Sequence, residues 1–205
     1  MPNNFRSFLA IDINDKTKSK IAILQKYLKN TDINLKYVDL DNIHLTLKFF
    51  GSINSNQLEE IKDKISIVLK NYSSFNLNIQ STGVFPSNNN IKVIWVGVKE
   101  NNIENSKTIN NNSIENTYLN SLFNDLDFQF NQLGFKAEKK FSPHLTIARV
   151  KNKLNSNDKQ AINDILNKFK RKRFGNIEFN KITIKKSVLT SKGPIYSDLK
   201  SFYLD

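Results

Sequence analysis

The chain has 205 residues and a mass of 23.7 kDa, enough for one large domain or two small lobes, and its formal net charge is +12. It has no cysteine, which excludes disulfides and thiolate metal sites and favours an intracellular origin. The positive charge either reflects an affinity for polyanions such as RNA or follows from a sequence that is rich in Lys, Asn and Ile throughout.

The first residues carry no basic-then-apolar signal pattern, and no stretch approaches 18 consecutive apolar residues. We therefore expect a cytoplasmic protein without membrane contact, and we predict a monomer.

Apolar periodicity predicts alternating strands and helices in the first half of the chain. The predicted elements are a buried strand at 6–13, a helix capped by Asp15 to about Leu28, a strand at 35–38, a strand from His44 to Gly51, a helix from Ser55 or Asn56 to about Tyr72, a strand at 75–80, a loop at 83–90 and a strand at 91–98.

The second half has the same character. The predicted elements are a helix at 119–133 ended by Gly134, a strand that begins at His144, a helix capped by Ser156 that ends in the basic run 168–173, a strand at 182–189, a turn at 191–194 and a last strand at 195–204.

Between the halves, residues from about 100 to 117 are of low complexity, rich in Asn and poor in apolar anchors. We interpret this stretch as a disordered insertion, with a short polar hairpin as the alternative.

The element order is similar in the two halves, which indicates an internal duplication. We predict an α+β fold with two pseudo-symmetric lobes around a central cleft, each with mostly antiparallel sheet and flanking helices. The chain, residues 1–205, would be one bilobal domain.

Each half contains the same tetrad of His, Leu, Thr and an aliphatic residue. The first begins at His44 and the second at His144, 100 residues later, and these are the two histidines of the chain. A single strand histidine is more often a core residue than a catalyst, but two in one repeated frame favour a functional site.

Side chains at i and i+2 of a strand share a face, so His44 and Thr46 point one way while Leu45 points into a core. His144 and Thr146 follow the same rule. Two imidazoles with pKa values near ~6.5 can share a proton-transfer cycle, and two hydroxyls can hold an anion between them. This is equipment for splitting a phosphodiester without a metal, so we predict no cofactor and no metal site.

Longer motifs in chain order accompany the tetrads. They are Arg6-x-Phe8-x-Ala10-Ile11, His44 to Gly51, Val84-Phe85-Pro86, Ile94 to Gly97, Phe141 to Arg149, and Gly193 to Tyr196. Over nearly the whole chain, this set resembles the two-histidine phosphoesterases, in the branch of RNA 2′,3′-cyclic phosphodiesterases historically called 2′-5′ RNA ligases.

The resemblance implies hydrolysis of an RNA terminal 2′,3′-cyclic phosphate to a 2′-phosphate, with His44 as proton donor and His144 as proton acceptor. It also implies that Thr46 and Thr146 hydrogen-bond the phosphoryl oxygens. The partner would be RNA or a cyclic-phosphate nucleotide, and the reverse reaction would be 2′-5′ ligation.

Two cations are further candidates for phosphate binding. Lys48 lies at i+4 from His44, on the histidine face, whereas Arg149 lies at i+5 from His144 and points away under strict alternation. A bulge or twist would have to bring Arg149 back, or its role is structural. Phe8, Phe50 and Tyr196 are candidates for stacking on a base, although each also suits the core.

Two alternatives stay open. One is a phosphodiesterase that acts on other cyclic nucleotides or on 2′-5′ oligoadenylates. The other is a non-catalytic, basic RNA-binding protein whose histidines only contact phosphates, although such a protein has no need of two titrating groups in matched frames.

Overall fold

The computed structural model describes residues 4–100, 117–191 and 193–204. Within these ranges the chain forms nine β-strands, four α-helices and one short 3-10 helix at Leu40–Asn42. The strands are β1 (Phe5–Asp12), β2 (Leu35–Tyr37), β3 (His44–Ile53), β4 (Phe75–Ser87), β5 (Asn90–Glu100), β6 (His144–Val150), β7 (Arg173–Phe179), β8 (Lys181–Thr190) and β9 (Gly193–Tyr203). The helices are α1 (Asp15–Lys29), α2 (Ser55–Leu69), α3 (Tyr118–Gln132) and α4 (Ser156–Phe169). Residues 101–116, which make up most of the predicted insertion at about 100–117, lie outside the described ranges.

The strands form one curled antiparallel sheet in the order β7-β4-β5-β6-β3-β1-β8-β9, with β2 paired to β6. The eight strands of this order form two sets of four, which meet where β6 lies beside β3. Helices α1 and α4 contact each other, as do α2 and α3. The predicted α+β class with antiparallel sheet is confirmed, but each set of four strands contains strands from both halves of the chain.

Three helices begin at an asparagine one residue before the predicted cap or first residue. The side chains of Asn14, Asn54 and Asn155 accept hydrogen bonds from the backbone N–H three residues later. This satisfies N–H groups that have no partner within the helix. The predictions of Asp15 and Ser156 as caps were therefore wrong by one residue.

Two stretches are strand where the sequence predicted otherwise. The sequence predicts a loop at 83–90, but β4 continues through Gly83 to Ser87, and β7 lies where no strand is predicted. A Cβ at Gly83 would lie 2.3 Å from Cζ2 of Trp95, so this glycine permits the close approach of the indole rather than a turn.

The inward-facing side chains of strands and helices form a single hydrophobic core. Leu45 and Leu145, the second residues of the two tetrads, are both almost completely buried in it. Of the helices in the described ranges, none is both long and apolar enough to cross a membrane.

Candidate active site

The two tetrads lie side by side at the junction of the two halves. β3 and β6 are antiparallel, and Leu45 pairs with Leu145. Extending this register by one residue in each direction places Thr146 beside His44 and Thr46 beside His144. All four polar side chains are partly exposed on the sheet face opposite the leucines, hereafter the histidine face. The two histidines are diagonal neighbours, for which Cβ atoms lie about 7 Å apart.

Both imidazoles are held in the same way by the backbone. Nδ1 of His44 lies 2.8 Å from the carbonyl oxygen of Asn42, and Nδ1 of His144 lies 2.7 Å from that of Ser142. A carbonyl oxygen only accepts, so in each ring Nδ1 carries a proton and donates it. Each neutral ring therefore has its free lone pair on Nε2, which can take up a proton or, once protonated, deliver one.

β3 contains a β-bulge directly after Thr46. On the neighbouring β1, Leu9 pairs with Lys48 but the next residue, Ala10, pairs with Thr46. Leu47 is thus an extra residue, and it and Lys48 both point into the core.

β6 contains a bulge at the same place in its tetrad. Ile94 of β5 pairs with Ala148 and Trp95 pairs with Thr146, which leaves Ile147 as the extra residue. Ile147 and Ala148 are both fully buried. The residue after each buried pair, Phe49 or Arg149, therefore points to the histidine face, whereas strict alternation along the strand predicts the opposite direction.

The prediction that Lys48 lies on the histidine face is wrong, because the bulge turns it to the core. Its side chain is 3% exposed, and Nζ lies 2.5 Å from Oδ1 of Asp127 on α3. Nζ also donates a 2.6 Å hydrogen bond to the carbonyl oxygen of Lys136, and the backbone N–H of Glu138 donates to Oδ2 of Asp127. Lys48 thereby ties β3 to α3 and to the segment that leads to His144.

Arg149 is brought to the histidine face by the second bulge, and it is exposed there. Burial raises the pKa of Tyr196 on β9, and the positive charge of Arg149 opposes that rise. The charge of Arg149 therefore reaches Tyr196, on the half of the sheet that holds His44.

Aromatic rings support both imidazoles. Phe8 stacks on His44 with ring centroids 4.8 Å apart, and Tyr196 contacts the same imidazole edge-on at 5.5 Å. Phe8 is 2% exposed, so its role is to pack against the imidazole rather than to offer a free face to a base. On the other side, the ring of Phe85 meets His144 edge-on at 4.9 Å.

The prediction that Phe50 can stack on a base is wrong, and Phe49 takes the exposed position that was predicted for it. Phe50 lies in the core against Phe130 and Phe135, so it is not available for base stacking. The bulge instead turns Phe49 to the histidine face, where it is 65% exposed and 5.9 Å from the ring of Phe8. Tyr196 stays a candidate for stacking, since part of its ring is exposed.

Charged groups surround His44. Burial lowers the pKa of His44, while its hydrogen bond to the Asn42 carbonyl and the charge of Asp12 raise it and the charge of Lys185 lowers it. Asp12 and Lys185 lie on β1 and β8, and their side chains form an ion pair of 3.1 Å. Neither residue is predicted from the sequence as part of the site, because the two are far apart in the chain.

Comparison with known proteins gives a consistent result for the whole chain. The profile of the LigT-like phosphoesterase family matches residues 11–95 and 114–196, and each matched segment contains one tetrad. The chain is 34% identical to the RNA 2′,3′-cyclic phosphodiesterase of Methanothermobacter thermautotrophicus, over 97% of this chain and 98% of the relative. It is 36% identical to the protein of the same name from Methanocaldococcus jannaschii, over 96% of this chain and 99% of the relative.

Solved structures agree on the fold. TT0787 of Thermus thermophilus superposes with a TM-score of 0.74 at 20% identity, covering 97% of each chain. E. coli LigT in complex with 3′-AMP superposes with a TM-score of 0.66 at 20% identity, over 98% of this chain and 99% of that one.

Proposed function

Because the chain belongs to the LigT-like phosphoesterase family, we propose that it hydrolyses the 2′,3′-cyclic phosphate at the end of an RNA to a 2′-phosphomonoester. The observation that carries this proposal is the matched pair of imidazoles, each with Nδ1 on a backbone carbonyl and Nε2 free. A binding protein has no need of two titrating groups held in the same tautomer. The relatives that align over nearly their full length carry the name of this activity.

In the proposed reaction, Nε2 of His144 accepts a proton from a water molecule as the water oxygen attacks phosphorus. The bond between phosphorus and the 3′ oxygen breaks, and protonated Nε2 of His44 delivers its proton to that oxygen. Positioning on two adjacent strands lets the two imidazoles act on opposite sides of the phosphorus, as in-line displacement requires. Exchange with solvent then returns both rings to their starting protonation states.

The groups that would hold the phosphoryl oxygens also lie on the histidine face. Thr46 and Thr146 flank the histidines, and their hydroxyls can each donate a hydrogen bond to a non-bridging oxygen. Arg149 adds a charge-assisted hydrogen bond, which is the stronger kind and the one best suited to negative charge that develops in the transition state. The proposed chemistry needs no metal ion, since protons and charge are handled by these side chains.

The same site can also run a second reaction. If the 5′-hydroxyl of another RNA takes the place of water, the product is a 2′-5′ linkage. Ligation is therefore a corollary of the proposed hydrolysis rather than a separate function.

Turnover of an oligonucleotide with a 2′,3′-cyclic phosphate end, measured in EDTA, tests the proposal. We expect the wild type to give a 2′-phosphate, identified by its ³¹P signal, and His44→Ala and His144→Ala each to reduce kcat by about 10²- to 10⁴-fold. Circular dichroism of the variants serves as the folding control.

Two results would contradict the proposal. Wild-type protein that binds RNA but turns over no cyclic phosphate would indicate the non-catalytic reading. Faster turnover of 2′-5′ oligoadenylates or of other cyclic nucleotides would assign the site to a different substrate class.

A further inference from the structure

The register of the sheet distinguishes the two histidines. Asp12 of β1 is the direct cross-strand partner of His44, whereas the partner of His144 on β5 is Gly97. Side chains of directly opposite residues share a face, with Cβ atoms about 5 Å apart. One imidazole therefore has a carboxylate as its cross-strand neighbour, and the other has no side chain in that position.

This difference is built into the packing of the backbone. A Cβ added to Gly97 would lie 2.8 Å from the carbonyl oxygen of Gln80 and 2.8 Å from Oγ of Ser81. Real Cβ atoms do not approach other atoms this closely, so a carboxylate beside His144 would require a shift of β4. The asymmetry between the halves is thus a property of the fold as well as of two residue types.

The carboxylate of Asp12 is held in place by a nearly buried lysine. Nζ of Lys185 lies 3.1 Å from Oδ1 of Asp12 and 2.6 Å from Oδ1 of Asp198, and the Lys185 side chain is 11% exposed. Burial lowers the pKa of Lys185, but its hydrogen bonds to Asp198 and Asp12 outweigh this and raise it. Lys181, 3.9 Å from Oδ2 of Asp12, adds a second cation.

Charged and aromatic groups from several elements surround the imidazole of His44. These are Asp12 on β1, Lys185 on β8, Tyr196 on β9 and the backbone carbonyl of Asn42. Asp12 and the carbonyl favour the protonated ring, while burial and Lys185 favour the neutral one, and the effect of Asp12 is larger than that of Lys185. Burial is the largest of these effects, so the pKa of His44 is lowered overall, and Asp12 opposes that lowering.

We propose that Asp12, anchored by Lys185, is the positioning residue that supports His44 as the proton donor by opposing the effect of its burial. A donor must carry a proton when the substrate binds, and a cross-strand carboxylate stabilises that charged form. Asp12 acts only through His44, whose Nδ1 is occupied by the Asn42 carbonyl. The inference rests on the proposed function and adds to it a residue that supports the proton donor.

The protein offers a direct measurement, because its two histidines give two sets of imidazole NMR signals. The His44→Ala and His144→Ala variants assign them. Asp12→Asn should move the titration of the His44 signals to lower pH, and Asp12→Glu should move it back toward wild type. Asp41→Asn is the matched control, since it removes the same charge three residues before His44 from a carboxylate that is 92% exposed.

Kinetics then separates donor from acceptor. If His44 donates, kcat/KM of Asp12→Asn should fall increasingly below that of wild type as the pH rises, to about threefold to tenfold below it at pH 8, because fewer His44 rings stay protonated in the variant. If His44 accepts, the variant should instead be faster than wild type at low pH and equal to it at high pH.

Three results would overturn the inference. They are a variant faster than wild type at low pH, a loss of equal size at every pH, and a His44 titration that moves no further in Asp12→Asn than in Asp41→Asn. Each of these leaves wild-type turnover intact, whereas failure of the proposed function would appear as absence of wild-type turnover.

Discussion

Leu47 and Ile147 are the extra residues of two β-bulges, and each is the fourth residue of its tetrad. The bulges bury the next side chain, Lys48 or Ala148, and return the one after it to the histidine face. That position holds Phe49 in one half and Arg149 in the other. The two bulges thus place an aromatic ring from one half of the sheet and a cation from the other half on the histidine face.

Arg149→Met should reduce kcat/KM by about 10²- to 10³-fold, because the transition state loses a charged hydrogen-bond donor. Arg149→Lys should recover only part of this, since an ammonium cannot reproduce the two-pronged contact of a guanidinium with phosphate. Steady-state kinetics on a cyclic-phosphate oligonucleotide provides the measurement. Wild-type activity in Arg149→Met would exclude Arg149 from the site.

In contrast to Arg149→Met, Lys48→Met should lower the stability of the protein and change the kcat of the folded protein little. Removing one partner of the nearly buried Lys48–Asp127 pair leaves a charge uncompensated, at a cost of about 3 kcal/mol. Urea unfolding measures this cost, and Lys92→Met on the exposed surface is the control. A large fall in kcat without a fall in stability would indicate that Lys48 binds the substrate phosphate.

Thr46→Val and Thr146→Val should each reduce kcat/KM by about tenfold or more, as expected when a hydrogen bond to a charged group is lost. Valine keeps the shape of threonine and its preference for strands, so stability should change little. Thr→Ser at the same positions keeps the hydroxyl and should restore most of the activity. If Val and Ser variants behave alike, the hydroxyls do not contact the phosphate.

Sequence periodicity was sufficient to predict which tetrad residues face the core. Leu45 and Leu145 alternate with His and Thr within each strand, and this pattern depends only on local geometry. The same holds for α3, whose apolar stripe predicted its position to within one residue. Elements defined by their own periodicity could therefore be predicted.

The bulges, in contrast, could not be predicted from the strands that contain them. Leu47 and Ile147 are ordinary aliphatic residues, and the bulge exists because β1 and β5 pair in a shifted register on either side of it. The Asp12–Lys185 pair has the same origin, since β1 and β8 meet only in the folded sheet. Lys48 and Phe50 were misassigned because their direction depends on these long-range pairings.

The stability of the protein should fall as the pH drops below about 6.5, the ordinary pKa of histidine. Burial lowers the pKa of His44 in the folded state, so the unfolded chain binds a proton more readily in this range. When the unfolded state binds more protons, unfolding becomes easier as the pH falls. Urea unfolding at pH 7.5 and pH 5.5 measures the difference.

Substitution isolates the contribution of His44. His44→Asn should reduce the pH dependence of stability, whereas His144→Asn, which keeps His44, should retain it. An unchanged dependence in His44→Asn would assign the effect to other groups.

The net charge of +12 allows two readings, attraction to RNA or compositional bias, and salt separates them. If the cations contact the RNA backbone beyond the terminal phosphate, KM for an oligonucleotide should rise steeply with salt, because each neutralised phosphate releases counterions. A 2′,3′-cyclic mononucleotide has one phosphate and should show a much shallower rise, so it is the matched control for screening within the site itself. Equal slopes for the two substrates would mean that the protein recognises only the terminal nucleotide and that the excess of lysine reflects composition.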